Sequence, residues 1–175
     1  MFARFHYPVK GQTGSTERIG DTDRLMTDAL RLLFVCTGNI CRSPMAEVYA
    51  QAAGVQRGRL IEARSGGVLG IIDKPADPLA VKVMREINID LEGHLSSGVS
   101  EKMMDWASYV LVMELHHAIK LRERFPAQED KILVLANFGG MNEVKDPIGG
   151  WRWKFRRCRS DIIRCVDSFL DNLPG

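Results

Sequence analysis

Two residue types at one spacing set the chemistry this chain can attempt. Cys36 and Arg42 bracket Thr37, Gly38, Asn39, Ile40 and Cys41, after the apolar run RLLFVC (31–36) and before Ser43-Pro44. A loop of that size between a strand end and a helix start can curl so that successive backbone N–H groups face one spot. The helix opening at Ser43-Pro44 aims its positive dipole end at the same spot. Tight curling demands a positive φ, which Gly38 and Asn39 tolerate best. Arg42 adds a planar fork able to hold two oxygens of a tetrahedral anion. The sulfur of Cys36, at the base, meets amides, dipole and guanidinium together, all of which favour a thiolate. A thiolate beneath a bound phosphoryl group is an in-line nucleophile. The loop therefore reads as a phosphate cradle carrying its own nucleophile.

That cradle needs a strand to carry Cys36 and a helix to carry Arg42, and the chain supplies both within an alternating series. The strand at 31–36 is followed by a helix whose inward stripe is Met45, Val48, Tyr49 and Ala52. A second strand lies near 60–65, and a helix at 75–88 carries Ala76, Leu79, Val83 and Ile87. A short helix at 100–106 leads into the strand SYVLVM (108–113). The next helix, marked by Leu115, Ala118, Leu121 and Phe125, ends at Pro126. KILVL (131–135) is the fourth strand, and the loop NFGGMNEVKDPIGG opens a last helix running to about 172. Phe155, Cys158, Ile162, Cys165 and Phe169 share one face of that helix, so Cys158 and Cys165 read as packed thiols. Strands alternating with helices predict a parallel sheet covered by helices.

At 175 residues the chain suits one domain, and a net charge of +2 argues against nucleic acid as the main ligand, since binders of the phosphate backbone carry a concentrated basic face. Residues 1–28 are polar and without sustained period. They read as a flexible extension before a single domain at 29–175, with Met26 as an alternative start. No apolar run is long enough for a membrane span, and the N-terminus lacks the apolar core of a secretory signal, so a cytoplasmic protein is expected. The four cysteines form no C-x-x-C pair suited to zinc, and no structural metal or cofactor is expected. WRWKFRRCR concentrates Arg152, Lys154, Arg156, Arg157 and Arg159, either as a solvated helix face or as a patch that steers acidic phosphopeptides.

VCTGNICRSPMAE resembles the signature of the low-molecular-weight protein tyrosine phosphatases. The resemblance runs through SGGVLGIIDKPADP (65–78), DLEGH (90–94), YVLVMELHH (109–117) and DPIGG (146–150), over most of residues 31–170. It is similar above all to bacterial members linked to tyrosine kinases and exopolysaccharide export. It implies a four-stranded parallel sheet of flavodoxin-like winding with helices on both faces. It also implies hydrolysis of a phosphotyrosine protein, such as an autophosphorylated tyrosine kinase, with no cofactor or metal.

In isolation Asp146-Pro147 is a turn signal. The resemblance makes Asp146 the general acid that protonates the departing phenol and then activates water. It also implies that Asn39, Ser65 and His94 form a hydrogen-bonded scaffold under the loop. Ser43 either caps its helix or donates to Cys36, and both can hold. Cys41 either packs as a small apolar group or forms the family's reversible disulfide with the nucleophile. His116 and His117 read as ordinary helix residues. Relatives place an aromatic residue after Asp-Pro. Here it is Ile148, so the substrate wall is expected to be aliphatic, completed by Leu69 and Ile71 or by Trp151 or Trp153.

Three rivals share the cradle. Protein-arginine phosphatases resemble C-T-G-N-T-C-R-S-P, with threonine where this chain has Ile40, and an apolar residue there favours a flat aromatic substrate. A thiol-dependent arsenate reductase would need relay cysteines on a mobile loop. A phosphate-binding module without catalysis would have no use for an intact Cys36, Arg42 and Asp146.

Overall fold

The structure, a computed structural model, describes residues 29–173. The extension expected over 1–28 lies outside them. Strands β1 (Leu30–Cys36), β2 (Ile61–Gly67), β3 (Tyr109–Val112) and β4 (Ile132–Val134) form one sheet in the order β2-β1-β3-β4. Every adjacent pair is parallel. The expected flavodoxin-like winding is therefore present, with β1 and β3 as neighbours at the point where the chain reverses its direction across the sheet.

Alternation along β1 builds two cores at once. Leu32, Phe34 and Cys36 face one layer, beneath α1 (Arg42–Gln56), α2 (Pro78–Arg85) and α5 (Arg152–Asp171). Leu33 and Val35 face the other, beneath α3 (Glu101–Trp106) and α4 (Leu115–Arg124). A strand buried on both faces must be apolar throughout, and LLFVC is.

Element boundaries differ from expectation where local chemistry intervenes. The helix expected at 75–88 starts later, because Pro75 bridges to Leu95 and Asp77 caps α2 by accepting from Leu79 N at 2.8 Å, with Pro78 in the first turn. The buried face of α1 is Met45, Ala46, Ala50, Ala53 and Gly54, rotated from the expected stripe. Val48 and Tyr49 are half-buried, and small residues let the helix lie close on the sheet. In α4, Ala118 and Leu121 are buried as expected, while Leu115 is exposed and His117 is buried instead. The face of α5 expected from Phe155, Cys158, Ile162, Cys165 and Phe169 is buried throughout.

Candidate active site

β1 delivers Cys36 to the carboxyl edge of the sheet, and α1 begins at Arg42 with residues 37–41 curled between them. Asn39 takes the left-handed conformation, φ 56°. Gly38 does not, so of the two candidates Asn39 supplies the turn. The loop carbonyls are claimed from outside. Cys36 O accepts from Val68 N (3.0 Å), Thr37 O from Leu69 N (3.1 Å) and Ile40 O from Asp77 N (2.8 Å). Asn39 O accepts from His94 Nε2 at 2.7 Å. Among the described residues the N–H groups of Gly38, Ile40 and Cys41 donate to no backbone carbonyl. Carbonyls turned out and amides left over are the wiring of an anion nest.

The scaffold expected beneath the loop is assembled. Asn39 Nδ2 donates to Ser43 Oγ (2.9 Å) and to Ser65 Oγ (2.8 Å), and its Oδ1 accepts from Ser97 N at 2.9 Å. His94 joins through the Asn39 carbonyl and Ser65 through the Asn39 amide. Cys36 Sγ is buried, accepts from Asn39 N at 3.3 Å and lies 3.0 Å from Ser43 Oγ. Ser43 thus reaches the sulfur, and α1 has no side-chain cap at its N-terminus.

Arg42 is fully buried, and both of its terminal nitrogens are bonded. Its Nη1 bonds the Glu114 carboxylate and donates to Val144 O at 3.0 Å. Its Nη2 donates to Thr37 Oγ1 at 3.3 Å and to Asp146 Oδ2 at 2.5 Å. Burial alone would weaken both charges. The hydrogen bond between them outweighs it, holding Glu114 below the usual carboxylate range and Arg42 above its ordinary value. Asp146 is half-exposed on the loop after β4, over the cradle, and its Oδ1 accepts from Ile148 N at 3.0 Å. The structure therefore brings Cys36, Arg42 and Asp146 to one place.

Three partners went unread in the sequence. Glu114 directly follows β3, the strand beside β1, and that position was its one available signal. His117 is not an ordinary helix residue: it is buried with Nε2 2.9 Å from Thr37 Oγ1. Burial pushes it down to about 4, so it is neutral at pH 7. Glu47, on the first turns of α1, accepts from Ser65 Oγ at 2.5 Å. Desolvation raises its carboxyl above the ordinary range, against that bond.

The family model described as low molecular weight phosphotyrosine protein phosphatase matches residues 31–174. The chain belongs to that family. Among relatives of this phosphatase, a protein-arginine-phosphatase of Geobacillus stearothermophilus is 36% identical, covering 82% of this chain and 95% of its own. The low molecular weight protein-tyrosine-phosphatase Wzb of Escherichia coli K12 is 33% identical over 66% of this chain and 76% of its own. The crystal structure of a low molecular weight protein tyrosine phosphatase from T. tengcongensis superposes with a TM-score of 0.79 at 33% identity, covering 83% of this chain and 100% of that one. The phosphatase is thus a phosphoric monoester hydrolase of bacterial type.

Around its cradle the side chains are aliphatic. A Cβ built on Gly38 would lie 3.4 Å from Ile71 Cδ1 and 3.7 Å from Ile40 Cγ1, which places those two together at the loop. Leu69 and Ile148 are 60% and 53% exposed on the flanking loops. Trp153 lines a groove of about 450 Å³ with Asp146, Pro147, Lys154 and Arg157, while Trp151 stands in solvent. The basic run is less available than its sequence suggests. Arg152, Arg156 and Arg159 converge on Glu86, and Arg157 reaches Asp161 at 3.4 Å. All four cysteines are free thiols. Burial raises the Cys41 and Cys158 thiols, keeping them protonated. Cys158 and Cys165 lie in the packed face of α5, away from any loop position a disulfide relay would need. No helix among the described residues is long and apolar enough to cross a membrane.

Proposed function

We propose that this phosphatase hydrolyses phosphotyrosine through a cysteinyl-phosphate intermediate. The observation that carries the reading is the pairing of Ile40 with Ile71 beside Gly38, next to the exposed Leu69 and Ile148. An aliphatic slot suits a flat phenyl ring. A guanidino group would bring several N–H donors into a slot whose aliphatic walls accept none of them, leaving Asp146 alone to do so.

In the first step Cys36 Sγ attacks phosphorus in line, the bond to the phenolic oxygen breaks, and Asp146 delivers its proton to that oxygen. In the second, Asp146 takes a proton from water, the water oxygen attacks phosphorus, and the S–P bond breaks to return the thiolate. Arg42 and the free loop amides hold the equatorial oxygens in both steps. The incoming anion takes over the Arg42 Nη2 that Asp146 Oδ2 occupies, which sends the carboxylate toward the leaving group. The substrate class that fits is an autophosphorylated tyrosine kinase or a polysaccharide-export component in the cytoplasm, as the resemblance of residues 65–78 implies.

A second reading, protein-arginine phosphatase, is favoured by the name of the Geobacillus relative. Peptides bearing phosphotyrosine, phosphoserine and phosphoarginine separate the two. Phosphotyrosine should lead in kcat/KM by about tenfold or more. A lead for phosphoarginine would reverse the assignment. Cys36→Ser should abolish turnover of every substrate while retaining phosphate binding, and residual turnover would remove the sulfur from its role. A thioredoxin-coupled assay with arsenate should show no reduction.

A further inference from the structure

One cluster of donor groups outside the proposed chemistry remains unexplained. Glu114, His116 and His117 sit at the turn from β3 into α4, and one ligand atom from each lies within 4.8 Å of the others. His117 is wholly buried, and its Nδ1 has no hydrogen-bond partner, an unfavourable state for a ring nitrogen out of water. In the tautomer whose Nε2–H donates to Thr37 Oγ1, Nδ1 carries a bare lone pair. A histidine tied down through one nitrogen and free at the other is how imidazole is usually presented to a metal.

The other two members complete the set. Glu114 divides its oxygens, Oε1 on Arg42 and Oε2 3.4 Å from His116 Nδ1, so one oxygen stays free of the guanidinium. His116 is 49% exposed and its ring centroid lies 4.0 Å from that of His117. Two imidazoles and one carboxylate with a further position left open form a donor set that zinc favours.

We propose that Glu114, His116 and His117 form a binding site for a divalent transition metal, zinc above all, that restrains the phosphate cradle. The site goes beyond the hydrolytic reading, because its ligands bind metal whatever the substrate. Metal on Oε2 withdraws charge from the carboxylate that orients Arg42, and metal on Nδ1 fixes the ring that holds Thr37. Both effects leave the cradle more positive and better ordered, so zinc and phosphate strengthen each other's binding reciprocally.

The test uses the full chain carrying Cys36→Ser, which removes the thiolate as a competing zinc ligand. Calorimetric titration with zinc chloride should show one zinc per chain. The zinc-loaded protein should bind phosphate more tightly than the zinc-free protein, and an unchanged phosphate affinity would refute the coupling. Adding His116→Asn, an exposed change that touches neither Cys36 nor Arg42, should weaken zinc binding by about tenfold or more. His116→Asn alone should leave phosphatase turnover as in the parent. Zinc binding that survives His116→Asn at the same affinity would refute the site, and so would a Cys36→Ser protein that takes up no zinc.

Discussion

At Arg42 four acceptors share one guanidinium, and the contest among them sets how an anion enters. Glu114 and Val144 O hold Nη1, while Thr37 and Asp146 hold Nη2. Asp146 is the most exposed of these side-chain partners, at 40%, and stands on the loop after β4, so its contact is the one an incoming phosphate displaces. Asp146→Ala should therefore tighten phosphate binding by about 3- to 10-fold, as removing a competing, partly screened charge implies. Calorimetry on the variant checks this, and an unchanged affinity would show that the carboxylate does not compete. Turnover moves the other way. Substrates with poor leaving groups should slow far more than those with good ones, and equal slowing would remove Asp146 as the acid. Cys36 and Arg42 were legible because strand, loop and helix signals surround them, whereas Asp146 stood out through the family resemblance at DPIGG. Glu114 and His117 were not, because their partners Arg42 and Thr37 lie 72 and 80 positions away and no local pattern records such a pairing.

Among the elements, β2 supports the cradle by staying narrow. A Cβ on Gly67 would stand 2.9 Å from Thr37 O, 3.0 Å from Asn39 N and 3.0 Å from Gly38 C, and all three atoms are backbone of the loop itself. Gly67→Ala should destabilise the protein by about 1–3 kcal/mol. It should also lower kcat/KM at temperatures where the variant is fully folded. Gly93→Ala, whose added Cβ meets nothing within 4 Å, is the neutral control. A Gly67→Ala enzyme of normal activity would mean that the loop moves aside at no cost. At the far end of α2, Glu86 gathers Arg152, Arg156 and Arg159 from α5, and its carboxyl falls from 4.5 to about 2, chiefly through the Arg156 hydrogen bond. A depressed carboxyl stabilises the fold above its unfolded value and loses that contribution as pH falls through its folded one. Glu86→Gln should therefore melt below the parent at pH 6, with the gap closing between pH 4.5 and about 2. A gap independent of pH would separate the cluster from stability. The sequence showed five cations in this stretch but not that three of them share a partner, since Glu86 stands at the end of another helix more than sixty residues earlier. Helix starts were misread for a related reason. Asp77 and Pro78 mark the true start of α2, but Pro75 looks the same until its bridge to Leu95 is known.

Across the whole molecule, β1 is the one strand with neighbours on both sides that ends in the cradle, and its alternate residues feed both hydrophobic layers. This much was legible from the sequence, because an unbroken apolar run and strands alternating with helices predict a buried parallel sheet. The consequence is that the anion site and the fold share a foundation. An anion bound at Arg42 grips the end of β1, the start of α1 and, through Glu114, the end of β3, so opening the site requires opening both layers. Phosphate should then stabilise the protein globally rather than locally. At 100 times its dissociation constant the linkage gives about 2.7 kcal/mol. For a domain of this size that is a rise in Tm of about 5–10 °C. Far-UV circular dichroism and tryptophan fluorescence should report the same rise, because Trp106 packs against one layer while the helix content lies on both. Cys36→Ser should keep the shift, since the sulfur is not among the groups that hold phosphate oxygens. Arg42→Lys should lose most of it, because a point charge cannot span the oxygens the fork holds. A shift of equal size in Arg42→Lys, or one seen by a single probe, would place phosphate somewhere other than at the junction of the two layers.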